Sequence, residues 1–158
     1  MLTLLRIQNL AIVEQSEVEF GPGLNVLTGE TGAGKSIILK AIDLLLGRRA
    51  NSDILRSGTD RCTVEGLFRI PRELGRILRE EHEELEEVLP EDEDELLLRR
   101  IIDASGRSKV YVNGQLMALG GLAALSARLM DVTGQHQQQI LFDPLHHREL
   151  LDTFGVAE

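Results

Sequence analysis

Apolar positions recur with two different periods along this 158-residue chain, and the period separates strands from helices. Leu2 to Leu10 and Val13 to Phe20 read as two strands joined by a tight connection, the second alternating imperfectly, as an edge strand does. Gly21, Pro22 and Gly23 then turn the chain. The next stretch, Leu24-Asn25-Val26-Leu27-Thr28, is a short apolar run suited to a buried strand. Ile37, Ile38, Ala41, Ile42, Leu45 and Leu46 follow at helical spacing, and Gly47 marks the helix stop. Arg48 to Asp60 is polar and irregular. Thr63 to Ile70 alternates through Val64, Gly66, Phe68 and Ile70 and predicts a strand.

The second half repeats both patterns. Pro71 opens an amphipathic helix to about Val88, with Leu74, Ile77, Leu78, Leu85 and Val88 as its stripe. Leu96 to Asp103 and Lys109 to Asn113 are strands around the turn Ala104-Ser105-Gly106-Arg107, and Asn113-Gly114 is a second turn signal. Leu116 to Met130 reads as helix. Asp131 to Gln135 leads into a loop, and Asp143-Pro144 starts a last helix running toward Phe154. The elements predict an α/β or α+β fold, a mixed β-sheet with flanking helices.

The stretch between the apolar run at 24–28 and the first helix carries the chemistry. Gly29, Glu30, Thr31, Gly32, Ala33, Gly34, Lys35 and Ser36 spell G-x-x-x-x-G-K-S, a phosphate-binding loop. Glycines let backbone N–H groups converge on phosphates. Lys35 supplies a compact positive charge for the β- and γ-phosphates, and the Ser36 hydroxyl is a hard oxygen ligand for Mg²⁺. The helix N-terminus adds a favourable partial charge. Strand, glycine loop and helix in that order are the context the motif requires.

Composition narrows the setting. The net charge of −9 is concentrated, because Glu80 to Glu95 holds 11 acidic residues and no Lys or Arg. The remainder has 15 acids against 17 bases, so overall charge neither favours nor excludes DNA. Aromatics make up 3% of the chain, with no Trp, so a base-stacking platform is not suggested. Cys62 is alone, which points to a reducing interior and an inert, buried thiol. No apolar run reaches the ~20 residues of a membrane span, and no signal peptide is visible. These features predict a cytoplasmic protein with no membrane partner. His136, His146 and His147 do not form a metal set: the last two are adjacent and diverge on a helix.

An ATPase also needs an acidic residue after an apolar strand and a group to position water. No four apolar residues precede an Asp-Glu pair, and no Asn-Lys-x-Asp segment is present to read guanine. Leu119-Gly120-Gly121 lacks the Ser and the following Gln or Glu of an ABC-type signature and reads as a helix start. The phosphate loop is half of a site.

Several segments together resemble the N-terminal half of the RecN family of bacterial DNA repair proteins, relatives of the SMC ATPases. They are residues Leu5 to Val13, Gly23 to Ser36, Gly106-Arg107-Ser108, Val112-Asn113-Gly114-Gln115 and Gly134-Gln135-His136. The resemblance implies the N-terminal lobe of an ABC-type head over 1–142, followed at 143–158 by the start of a coiled-coil helix. It implies ATP and Mg²⁺ as ligands, with Gly29 through Ser36 and Ile37 at the phosphates. It places Gln135 on Mg²⁺ or the attacking water, Arg56 at phosphate or DNA, and Asn9, with Arg6, at the strand edge near adenine. The implied partners are the C-terminal half of the same head, a second head in a homodimer, and DNA, in a cytoplasmic, nucleoid-associated setting. The implied role is an ATP-driven head acting in double-strand break repair and recombination. A nucleotide-gated structural clamp and an ABC transporter-type ATPase fragment are the alternatives. Heptads beyond residue 158 separate the last of these from an SMC-like head.

Overall fold

The computed structural model describes residues 1–29, 34–81, 85, 88–89 and 94–130. Its strands are β1 (Leu2–Leu10), β2 (Val13–Glu19), β3 (Arg61–Arg69), β4 (Glu95–Asp103), β5 (Ser108–Val112) and β6 (Gln115–Met117). Its helices are α1 (Gly34–Leu45), α2 (Arg72–Glu81) and α3 (Leu119–Leu129). The strands form one sheet in the order β2-β1-β3-β4-β5-β6, and every pairing among the described residues is antiparallel. No parallel pair occurs among the described residues.

Alternation decides which face is covered. Leu5 and Ile7 of β1, Val64 and Phe68 of β3, Leu98 and Ile102 of β4, and Val110 and Val112 of β5 are all buried. They join Ile37, Ala41, Leu44 and Leu45 of α1 and Leu122 and Leu125 of α3 in one core. Each such side chain contributes roughly 1.5–3 kcal/mol on burial. Gly66 permits close contact with α1, since a Cβ there would meet Leu45 Cδ1 at 2.7 Å. The opposite face is mixed, with Leu4, Leu67, Leu97 and Ile101 half-buried beside charged residues. The register aligns Glu17, Arg6, Glu65 and Arg99 across β2, β1, β3 and β4. Arg6 Nε donates to Glu17 at 2.6 Å, and Arg99 pairs with Glu65.

Three elements depart from the sequence pattern. The stretch Leu24–Thr28 is not a strand: Leu24 is 90% and Val26 69% exposed. Both edges of β1 are already taken by β2 and β3, and a strand without a neighbour leaves its backbone groups unpaired. The helix expected from Pro71 to Val88 is described over Arg72–Glu81, while Leu85 lies in a 3₁₀ turn and Val88 in a turn. Leu85 and Leu89 are nevertheless buried in the core. The helix expected from Leu116 begins at Leu119. Asn113 and Gly114, at φ 45° and 92°, make a tight turn that zips Gln115–Met117 onto β5 instead. The polar stretch 48–60 is better ordered than its composition implies. It contains a 3₁₀ turn at Ser52–Ile54 with Ile54 buried, and Leu55 bridges to Leu10.

Candidate functional site

The described part of the phosphate loop is Gly29 and the first turn of α1. The first four N–H groups of a helix have no partner within it, and here they belong to Gly34, Lys35, Ser36 and Ile37. Ile37 faces the core at 8% exposure, so its route to a phosphate is its backbone N–H. Ser36 is exposed at the helix start. Lys35 reaches back across the loop, and its Nζ donates to the Gly29 carbonyl at 2.6 Å. That bond holds the ammonium beside Gly29, the first residue of the motif. Glu30, Thr31, Gly32 and Ala33 lie outside the described residues.

The segment leading into the loop is held by one side chain. Asn25 Oδ1 accepts from the Gly21 N–H at 3.0 Å, and Nδ2 donates to the Gly21 and Gly23 carbonyls at 2.8 and 3.2 Å. Gly23 has φ 80°, a left-handed conformation that suits glycine. This fixes the turn and leaves Leu24, Val26 and Leu27 facing solvent.

A second cluster forms at the turn between β1 and β2. Asn9 and Ala11 have φ 55° and 51°, uncommon for residues with a Cβ. The turn is latched to the 51–56 segment: Ala11 N–H donates to the Ile54 carbonyl at 2.7 Å, and Arg56 N–H to the Asn9 carbonyl at 2.9 Å. Asn9 and Arg56, far apart in sequence, therefore meet. The Arg56 Nη2 lies 3.3 Å from Glu14 Oε2, while its Nε is buried with no hydrogen-bond partner among the described residues. A buried donor without an acceptor is costly. Arg6 does not join this cluster. It lies on the outer sheet face, paired with Glu17.

Gln135, His136, His146 and His147 and the helix expected from Asp143 fall outside the described residues. Among the described residues no group of three metal-ligating side chains is present, and no helix is long and apolar enough to cross a membrane. Cys62 is fully buried, and burial pushes its thiol pKa up. The sequence pattern passed over one buried polar residue, Arg100. Its only signal was register: Arg100 shares a face of β4 with Leu98 and Ile102, but its neighbours Leu97 and Ile101 made both faces look apolar.

Comparison with known proteins agrees with this geometry. An AAA domain family model matches residues 4–106. The DNA repair protein RecN of Bacillus subtilis is 41% identical over 162 residues, covering 100% of this chain and 27% of the relative. RecN of Synechocystis is 43% identical, covering 98% of this chain and 26% of the relative. The chain thus spans about a quarter of the length of the relatives it matches. A structure from work on ATP-driven dimerization and DNA stimulated activation of SMC ATPases superposes with a TM-score of 0.66 at 21% identity, covering 97% of this chain and 98% of that one. The recombination mediator protein RecF bound to ATP superposes at 0.64 and 21%, covering 97% of this chain and 38% of that one. The fold is that of the N-terminal lobe of an SMC- or RecF-type ATPase head, and the chain belongs to the AAA domain family as an N-terminal piece of a RecN-type protein.

Proposed function

We propose that this chain is the ATP-binding part of an SMC-like ATPase head that acts in DNA double-strand break repair, and that it becomes catalytically competent only when the rest of the head joins it. Three observations support a nucleotide site: the glycine-rich motif that precedes α1, the Lys35 ammonium held at Gly29, and the exposed first turn bearing Ser36. Gly29 through Ile37 would cradle the phosphates with backbone N–H groups. Ser36 and Gln135 would ligate Mg²⁺, a hard cation that favours oxygen donors. Arg56, with its unsatisfied Nε, would take an anionic oxygen from phosphate or DNA beside Asn9. Mg²⁺ would neutralise charge developing on the phosphates.

The observation that carries the composite reading is the exposed apolar run at 24–28. A strand-forming sequence ends at the phosphate loop but pairs with nothing described. Strands from the C-terminal half of the same head would cover it and bring the acidic residues missing from this sequence. Two such heads would enclose ATP between them and engage DNA. The SMC relatives studied for ATP-driven dimerization favour this arrangement. They also keep the nucleotide-gated clamp in play, in which ATP sets dimerisation and turnover is incidental.

The test is reconstitution. The isolated chain hydrolyses ATP negligibly, and adding the C-terminal half restores turnover, measured as phosphate release. Lys35→Ala removes ATP binding from the assembled head while circular dichroism stays unchanged. Robust turnover by the isolated chain would sink the composite site. Dimerisation by ATP with no turnover in the assembled head would favour the clamp.

A further inference from the structure

Arg100 is the largest fully buried side chain described, at 1% exposure, and it has no carboxylate partner among the described residues. A buried guanidinium without a counter-charge is expensive, and an apolar side chain of similar volume commonly serves stability as well or better. Its bonds indicate what it does instead. Nη1 donates to the Leu44 and Arg48 carbonyls, both at 2.7 Å. Nε and Nη2 donate to Ser108 Oγ at 3.2 and 3.0 Å. One planar fork therefore ties β4 and β5 to the last turn of α1 and to the chain just beyond it. The Leu44 carbonyl belongs to the negative end of the helix that carries Lys35 and Ser36 at its positive end.

The same junction receives α3. Gly47, at φ 79° just past α1, lies so close to α3 that a Cβ there would sit 2.9 Å from Ala123 Cβ. α3 ends at Leu129, six residues before Gln135. Arg100 is thus buried where the phosphate-loop helix and the helix running toward Gln135 meet the sheet. α1 has 12 residues and is about 18 Å long, so a tilt of about 5° at its C-terminus moves its N-terminus by about 1.5 Å. Misplacing a charged binding group by about 1 Å is enough to cost on the order of 100-fold in function.

We propose that Arg100 is a positioning residue for the nucleotide: by fixing the C-terminal end of α1 it sets Lys35 and Ser36 at the phosphates and Mg²⁺. This rests on the ATP-binding reading above. A purely structural role predicts that Arg100→Met costs stability at most. The positioning role predicts a loss of ligand affinity out of proportion to stability.

The test uses the full-length protein, with ATP and Mg²⁺ affinities measured by calorimetry. Arg100→Met and Arg100→Lys are expected to weaken ATP binding at least about tenfold and to raise the Mg²⁺ needed for saturation. Ile102→Val, a neighbouring core change that also lowers Tm, is expected to leave ATP affinity within about twofold. Ser108→Ala keeps the charge and both carbonyl bonds and should weaken binding by about threefold, so it carries the test if the Arg100 variants do not fold. ATP affinities of the Arg100 variants within twofold of wild type, or losses matched by Ile102→Val at equal Tm, overturn the proposal. Wild-type protein that fails to bind ATP, or Lys35→Ala that binds it normally, overturns the nucleotide reading instead.

Discussion

The two ends of α1 are held in opposite ways. At the C-terminal end, Leu44 and Leu45 are buried, Gly47 abuts α3, and Arg100 grips two carbonyls. At the N-terminal end, Ser36 is exposed, Lys35 bonds back to Gly29, and the incoming chain from Gly21 to Gly29 lies entirely in solvent. One end is fixed by the chain's own core. The other is exposed and carries the residues proposed to bind phosphate. The difference teaches that rigidity and chemistry are placed at opposite poles of one helix. A rod anchored at one end can present charges at the other without burying them, which a phosphate site requires.

The contrast can be broken from either side. The largest effect is expected at the anchored pole: Phe68→Ala, which empties the space beneath α1, should cost about 3–5 kcal/mol in urea denaturation. Gly47→Ala should cost about 1–3 kcal/mol, because its Cβ would meet Ala123 and its backbone is left-handed. A Tm unchanged by Gly47→Ala would show that α1 and α3 are not tightly packed. At the open pole, Val26→Asp should change stability by less than about 0.5 kcal/mol, since Val26 is 69% exposed. The same change should abolish association with the C-terminal half in gel filtration. Association that survives it would remove the 24–28 run from the interface.

The smallest effect lies in the turn between β4 and β5. Asp103 Oδ1 accepts from the Ser105 hydroxyl at 2.5 Å and from the Ser105 and Arg107 N–H groups at 2.9 and 3.1 Å. Those bonds, the Ser105 hydroxyl foremost, lower its pKa from 3.8 to about 2. A depressed carboxylate stabilises the folded state above its unfolded pKa. That contribution is lost as pH falls from about 3.8 to about 2. Asp103→Asn should therefore lower Tm at neutral pH and match wild type near pH 2, read by calorimetric scans at both pH values.

Much of this architecture was legible because local patterns carry it. The alternation Val64-Gly66-Phe68 fixed the inward face of β3, and Gly47 ended α1 one residue past Leu46 as its left-handed φ requires. Asn9 and Arg56 were named as separate candidates, but their meeting at the β1–β2 turn is a long-range contact that no local pattern encodes. Arg100 was passed over because pattern reading treats a charged residue as outward, and its burial depends on carbonyls 52 and 56 positions away. The run at 24–28 misled in the other direction. Its residues favour a strand, but a strand exists only where a neighbour takes its hydrogen bonds.

The sequence by itself determined the phosphate-loop motif, the helix that follows it and the strands β1 to β5, because each depends on residue type and short spacing. Only the tertiary structure decided which pole of α1 is anchored, which arginine is buried to anchor it, and that the run at 24–28 forms no strand and stands exposed. Those outcomes depend on which groups compete for the same sheet edge and the same carbonyls, and that competition is settled only when the distant parts of the chain come together.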